Sequence, residues 1–304
     1  MKLFTKIAAT VLAFGMLSGI TAFADFTDMP TDNTRIAMEN AVANGLLKGT
    51  SDTTIEPYSH ITRGQMAEIL TRAFNIQTKA DLSAYQDMNP AQWYYTAVSK
   101  AVSMGAIQGD GQNINPENNI TFQEAFLILS RIFNLTAPEA DILANYPDGS
   151  QVADWAKEGV SAVLHGGYWT ADTIRPTEYM TRADFAVVMD HLVSLYIDEG
   201  KEYKDLEVSG NILIRKADAT LNNVKATGDI FIADSVASAV LTASKASRVV
   251  VRGGTIAIDG TYDQVLLIKP GTTANLGEVN PITLKETKLY GVKNSVLNMG
   301  MQQI

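Results

Sequence analysis

The 304-residue chain carries 24 basic and 33 acidic side chains, a formal net charge of −9, and no cysteine. The missing thiols exclude disulfides, cysteine nucleophiles and Cys-ligated metal. A field this acidic opposes nucleic acid and anionic lipid at long range, so an anion could be held only in a local cationic pocket.

The first 24 residues place Lys2 and Lys6 ahead of an apolar run from Ile7 to Ile20 and end on Ala22-Phe23-Ala24, the pattern of a secretory signal peptide. The run falls short of the roughly 20 residues a membrane helix needs. The expectation is a secreted chain that starts at Asp25 and is not inserted in a membrane. From Asp25 to Ile197 there are 21 acidic and 10 basic side chains, whereas from Asp198 to Ile304 there are 12 of each. Two different modules are implied.

Within the first module one pattern recurs three times at a period near 60 residues. Asp28, Asp87 and Asp148 each follow an aromatic or a proline-bearing turn, and a helical stretch comes next. The stretches end at Gly45, Gly105 and Gly167, where a left-handed residue stops a helix at low steric cost. Gly49 and Gly109 follow, with Ala171 at the third position, and then Pro57, Pro116 and Pro176. Ile61-Thr62-Arg63, Ile120-Thr121-Phe122 and Met180-Thr181-Arg182 then open second helices. Those helices carry apolar stripes such as Met66, Ile69, Leu70 and Phe74. One repeat cannot bury such a stripe alone, but three can pack around a shared axis.

The opening Asp, Trp93 and Trp155, the glycine pair, the proline and the Ile-Thr-Arg helix start resemble the S-layer homology family over about residues 25–197. The resemblance implies a multi-domain chain whose mainly α, pseudo-threefold part comprises repeats at 25–80, 81–141 and 142–197. It also implies non-covalent attachment to a bacterial cell wall, through a secondary cell-wall polysaccharide, often pyruvylated, gripped in grooves between repeats. No cofactor, metal or nucleic acid is implied, the location is the cell wall or S-layer, and self-assembly on the surface is compatible with it.

Candidate binding residues divide by their chemistry. Thr62 with Gln65, Thr121 with Glu124 and Thr181 with Asp184 read as capping boxes, hence structural. Arg63 and Arg182 stand in the first helical turn, where a cation opposes the helix dipole. They either salt-bridge the next repeat's Asp or join free helix N–H groups in a carboxylate site. The family resemblance favours contact with the acidic ketal of the polymer. Phe122 cannot hold an anion, so fewer than three equivalent sites are expected. Trp93 and Trp155 are core residues or flat platforms for a sugar. Asp28, Asp87 and Asp148 brace turns or meet sugar hydroxyls, and Gly49 and Gly109 allow close approach by a ligand or a neighbouring repeat. His60, His165 and His191 fall at unrelated places, which argues against a metal or a catalytic base.

Residues 198–205 read as a charged linker. From 206 to 304, short apolar runs such as Ile212-Leu213-Ile214 and, 18 residues later, Ile230-Phe231-Ile232 alternate with turn signals. A small all-β module is expected, as a parallel β-solenoid rather than a β-sandwich. It contains no His, Cys or Trp. A carboxylate pair drawn from Asp218, Asp229, Asp234, Asp259 and Asp263 would be its only route to glycan hydrolysis. The module therefore reads as a spacer, display or assembly unit, with a wall-anchored carbohydrate-active enzyme as the alternative, and modified peptidoglycan as an alternative ligand.

Overall fold

The computed structural model describes residues 26–137, 141–278, 280–284 and 289–300. The expected signal peptide lies outside them. Among the described residues six α-helices form the first module: α1 (Arg35–Ala43), α2 (Arg63–Ala73), α3 (Tyr95–Ser103), α4 (Phe122–Ile132), α5 (Lys157–His165) and α6 (Arg182–Leu192). Gly45, Gly105 and Gly167 follow the first helix of each unit with φ of 68°, 76° and 70°, as the left-handed stop requires.

Packing passes from each unit to the next. Helix α2 lies on α3, α4 on α5, and α6 on α1, so the apolar stripe of each second helix is covered by the following unit's first helix. On the axis, the N–H of Ile61 donates to the Met180 carbonyl at 3.0 Å, that of Ile120 to Ile61 at 2.9 Å, and that of Met180 to Ile120 at 2.9 Å. All three side chains are fully buried. This closed ring ties three successive units into one pseudo-threefold body.

The second module is a parallel β-solenoid of about five turns. Its strands are β1 (Leu195–Ile197), β2 (Glu202–Lys204), β3 (Glu207–Val208), β4 (Ile212–Ile214), β5 (Ala219–Asn222), β6 (Lys225–Ala226), β7 (Ile230–Ile232), β8 (Ser238–Val251), β9 (Thr255–Leu267), β10 (Thr273–Leu276), β11 (Ile282–Leu284), β12 (Leu289–Gly291) and β13 (Val296–Met299). One face stacks Ile197 on Ile214, Ile232, Val251 and Leu267 in successive turns. Two further faces stack β2, β5, the start of β8, the start of β9, β10 and β13, and then β3, β6, the middles of β8 and β9, and β11. The long strands β8 and β9 each run through corners that break the shorter turns into separate strands.

The expected linker at 198–205 is not one. Strand β2 pairs with β5 inside this segment, and β1 pairs with β4 inside what reads as the end of the third repeat. The charges misled because they point outward: Glu202 and Lys204 are exposed, so alternation across a strand imitates a polar tether.

The two modules share an interface. Strands β4 and β7 are buried on both sides, which one solenoid interior cannot accomplish. Their outer side chains meet helix ends, with Phe231 against Phe133 at 5.0 Å between ring centroids. Arginines from the solenoid donate to carbonyls at those ends: Arg215 to Asn44 at 2.8 Å, Arg248 to Asn134 at 3.0 Å, and Arg252 to Met104 at 2.7 Å and Ile132 at 3.1 Å. These carbonyls lack intrahelical partners and carry the negative end of the helix dipole, so guanidinium groups both satisfy and neutralise them.

Candidate functional site

The start of each second helix is inserted into the loop of the next unit. Backbone N–H groups of Arg63 and Gly64 donate to Asn118 and Pro116, those of Phe122 and Gln123 to Glu178 and Pro176, and those of Arg182 and Ala183 to Ser59 and Pro57. The third N–H of α2 and of α6 goes to the hydroxyl of Thr62 and Thr181 respectively, and the Glu124 carboxylate accepts from the Thr121 N–H at 2.8 Å. The helix N–H groups expected to build a carboxylate site with Arg63 and Arg182 are therefore taken by protein.

The arginines continue the same insertion. Arg63 Nε donates to the Ile114 carbonyl at 2.8 Å and Nη2 to Gln108 at 3.0 Å, and Nη1 pairs with Glu124 at 3.1 Å. Arg182 is 7% exposed and donates to Ile55 at 2.7 Å and to Lys48 at 2.6 Å. In the second unit the position holds Phe122, fully buried against Phe126 and Trp169. Arg175 lies 4.2 Å over the Phe122 ring and pairs with Asp184 at 2.7 Å. A guanidinium thus meets the cap acid of the third unit as Arg63 meets that of the second, although it comes from another place in the sequence.

Asp28, Asp87 and Asp148 brace turns. Each carboxylate accepts two consecutive backbone N–H groups, from Ile55 and Glu56, Ile114 and Asn115, or Ile174 and Arg175. The second residue of each pair is left-handed, with φ of 49°, 58° and 56°, a conformation that costs energy for a side chain such as Glu or Arg and needs such a brace. Gly49 and Gly109 serve close approach within their own units. A Cβ there would fall 2.6 Å from the ring of Phe26 or Tyr85 and within 2.4 Å of a loop carbonyl.

Trp93 and Trp155 are not core residues; they are 54% and 56% exposed. Trp155 stands on the wall of a groove of about 1040 Å³ that receives residues from all three units. Arg63 comes from the first unit, Gly109, Glu124 and Arg131 from the second, and Trp155 and Tyr179 from the third. Of the residues singled out in the sequence, Arg63, Gly109 and Trp155 meet in this groove. Trp93 instead lies over Gly64 at the start of α2, and Arg182 reaches the loop beside Gly49. Among the groove residues that sequence reading did not single out are Arg131, on the polar flank of α4, and Tyr179, which is 50% exposed two positions before the Thr181 cap. Neither position carries a distinctive signal: Tyr179 lies in an isolated β-bridge to Thr121, and Arg131 stands in the last turn of α4, where a cation complements the helix dipole.

Three inserted helix pairs make one repeat-built domain, and it is docked on a parallel β-solenoid. The S-layer homology domain family model matches residues 25–67 and 84–126. The chain is 27% identical over 201 residues to the surface-layer 125 kDa protein of Lysinibacillus sphaericus, covering 63% of this chain and 17% of that protein. It is 23% identical over 191 residues to the S-layer protein sap of Bacillus anthracis, covering 60% and 24%. It is also 26% identical over 170 residues to exoglucanase XynX of Acetivibrio thermocellus, covering 54% and 16%. The chain spans less than a quarter of the length of each of these relatives. It carries two matched S-layer homology repeats and is a secreted, cell-wall-associated protein. Among the described residues no helix is long and apolar enough to cross a membrane.

Proposed function

We propose that the chain anchors non-covalently to the bacterial cell wall by holding an acidic, pyruvylated secondary wall polysaccharide in a groove between three S-layer homology repeats, the third formed by residues 142–197. The observation that carries this reading is the groove into which all three units project, with Trp155 and Tyr179 exposed on its wall. Large aromatic faces held in water by a rigid frame are poor for stability and suited to sugar rings. Hydroxyl acceptors stand nearby in Asp110 and Glu117. Cosedimentation of the whole protein with wall sacculi tests it. Retention on intact sacculi and release from sacculi stripped of the acidic polymer is expected; equal retention on both would overturn the polymer as ligand and favour peptidoglycan.

The solenoid acts as a rigid display or assembly unit. The enzyme reading has a specific observation behind it, since exoglucanase XynX is among the relatives. Against it, Asp229 pairs with Arg248, and Asp234 with Arg252 and Lys269, at the interface with the helices rather than in a cleft. Saccharide released from wall glycan by the intact chain would establish the enzyme.

A further inference from the structure

Every motif arginine of this chain is occupied, and this bears on which group reads the acid of the ligand. Arg63 spends its donors on two carbonyls and Glu124, Arg182 is buried on two carbonyls, and Arg175 is paired with Asp184. Recruiting any of them to a ligand would break the contacts that join one unit to the next.

Arg131 differs. It lies nine residues into α4 after Phe122, faces the groove shared with Trp155, and forms neither a hydrogen bond nor an ion pair through its guanidinium among the described residues. We infer that Arg131 is the residue that reads the carboxylate of an acidic glycan in this groove, with Trp155 as the sugar platform, while Arg63 holds the groove's shape. Desolvation pulls the Arg131 guanidinium below its ordinary value, and the charge of Glu158 only partly opposes this. A carboxylate ligand would supply the missing counter-charge, in a charge-assisted and bidentate form.

The equivalent positions in the other two units are used internally. Arg72 donates to Glu68 at 2.6 Å and to the Leu46 carbonyl at 2.7 Å. The third unit has His191, whose Nδ1 lies 3.3 Å from the Tyr168 carbonyl. One groove, not two or three, is thus equipped for an anion, and the polar loop residues Asp110 and Glu117 at its other lining would repel a second acid while accepting hydroxyls.

This inference rests on the wall-glycan reading, and the test separates the two. The intact protein is titrated with a methyl hexopyranoside bearing a 4,6-pyruvate ketal, and with the methyl ester of the same ketal, while capture on purified wall polymer is measured in parallel. The expected result is one site per chain, about tenfold weaker binding of the ester and of the ketal by Arg131→Ala, and partial recovery in Arg131→Lys, with unchanged melting temperatures. Equal affinity for ketal and ester, full affinity in Arg131→Ala, or no ketal binding by a wild type that still captures polymer would overturn the Arg131 assignment alone. Failure to capture polymer at all would overturn the anchoring reading with it.

Discussion

Phe133, which caps α4 of the second repeat, meets Phe231 of the third solenoid turn edge to face, with centroids 5.0 Å apart and planes at 87°. Phe74 at the end of α2 continues the contact onto Phe133 at 5.1 Å. All three rings are fully buried, so the seam between helices and solenoid is built like a domain interior. The seam therefore fixes the direction in which the solenoid leaves the helical module, and the two modules should unfold together.

Phe231→Ala tests that coupling. Removing a fully buried phenylalanine costs about 3–5 kcal/mol through lost transfer energy and the cavity left behind. The expected outcome is one calorimetric transition in the wild type, and in the variant a lower first transition or two separated ones. A variant that melts as one unit at the wild-type temperature would show that the seam contributes nothing.

Arg252 and Asp234 present a harsher case. Their side chains are 4% and 6% exposed, 2.7 Å apart, and Arg252 also satisfies the carbonyls of Met104 and Ile132. Arg252→Ala removes one of the two cations on a buried carboxylate and leaves two helix-end carbonyls without a donor, with about 3–5 kcal/mol as the upper bound for a fully uncompensated charge. Lys269 retains its pairing with Asp234 and limits the loss. Urea denaturation should therefore place Arg252→Ala well below wild type and Asp234→Asn, which keeps a hydrogen-bonding group, between them.

The repeat frame could be read in the sequence because each of its devices is local: a glycine at positive φ, a Thr cap, an apolar stripe every three or four residues. The solenoid turns were legible for the same reason, since Ile212 and Ile230 repeat the same pattern one turn apart. What the sequence concealed is who uses each group. An arginine in a first helical turn looks unpartnered until the loop of the next unit arrives, and only then does Arg63 become structural. Conversely, Arg131 looks like an ordinary surface cation on α4 until Trp155 and Tyr179, both from the third unit, make it the wall of a groove.

Trp155→Ala separates binding from folding. At 56% exposure the indole buries little that an alanine would expose, so the melting temperature should stay within the range of a neutral surface change, about 0.5 kcal/mol. Polymer capture should fall, because a stacking platform is lost. Trp93→Ala, outside this groove, should fold as well and bind better than Trp155→Ala. Equal binding by the two variants would remove Trp155 from the ligand.

Asp28 carries a pH signature. Burial pushes its carboxyl up, but the N–H groups of Ile55 and Glu56 and the charge of Arg182 together outweigh this and hold it below the usual value. A carboxylate whose folded pKa is depressed stabilises the fold above its unfolded value, about 3.9, and loses that contribution as pH falls through the folded value. Asp28→Asn should therefore be less stable than wild type at pH 7, the charged acceptor of two amides being worth more than a neutral one. The gap should narrow only below about pH 4, as the wild-type carboxyl takes up its proton. Denaturation curves at pH 7, 5 and 3 check this, and a gap that closes already at pH 5 would mean that the brace at Glu56 does not depend on the charge.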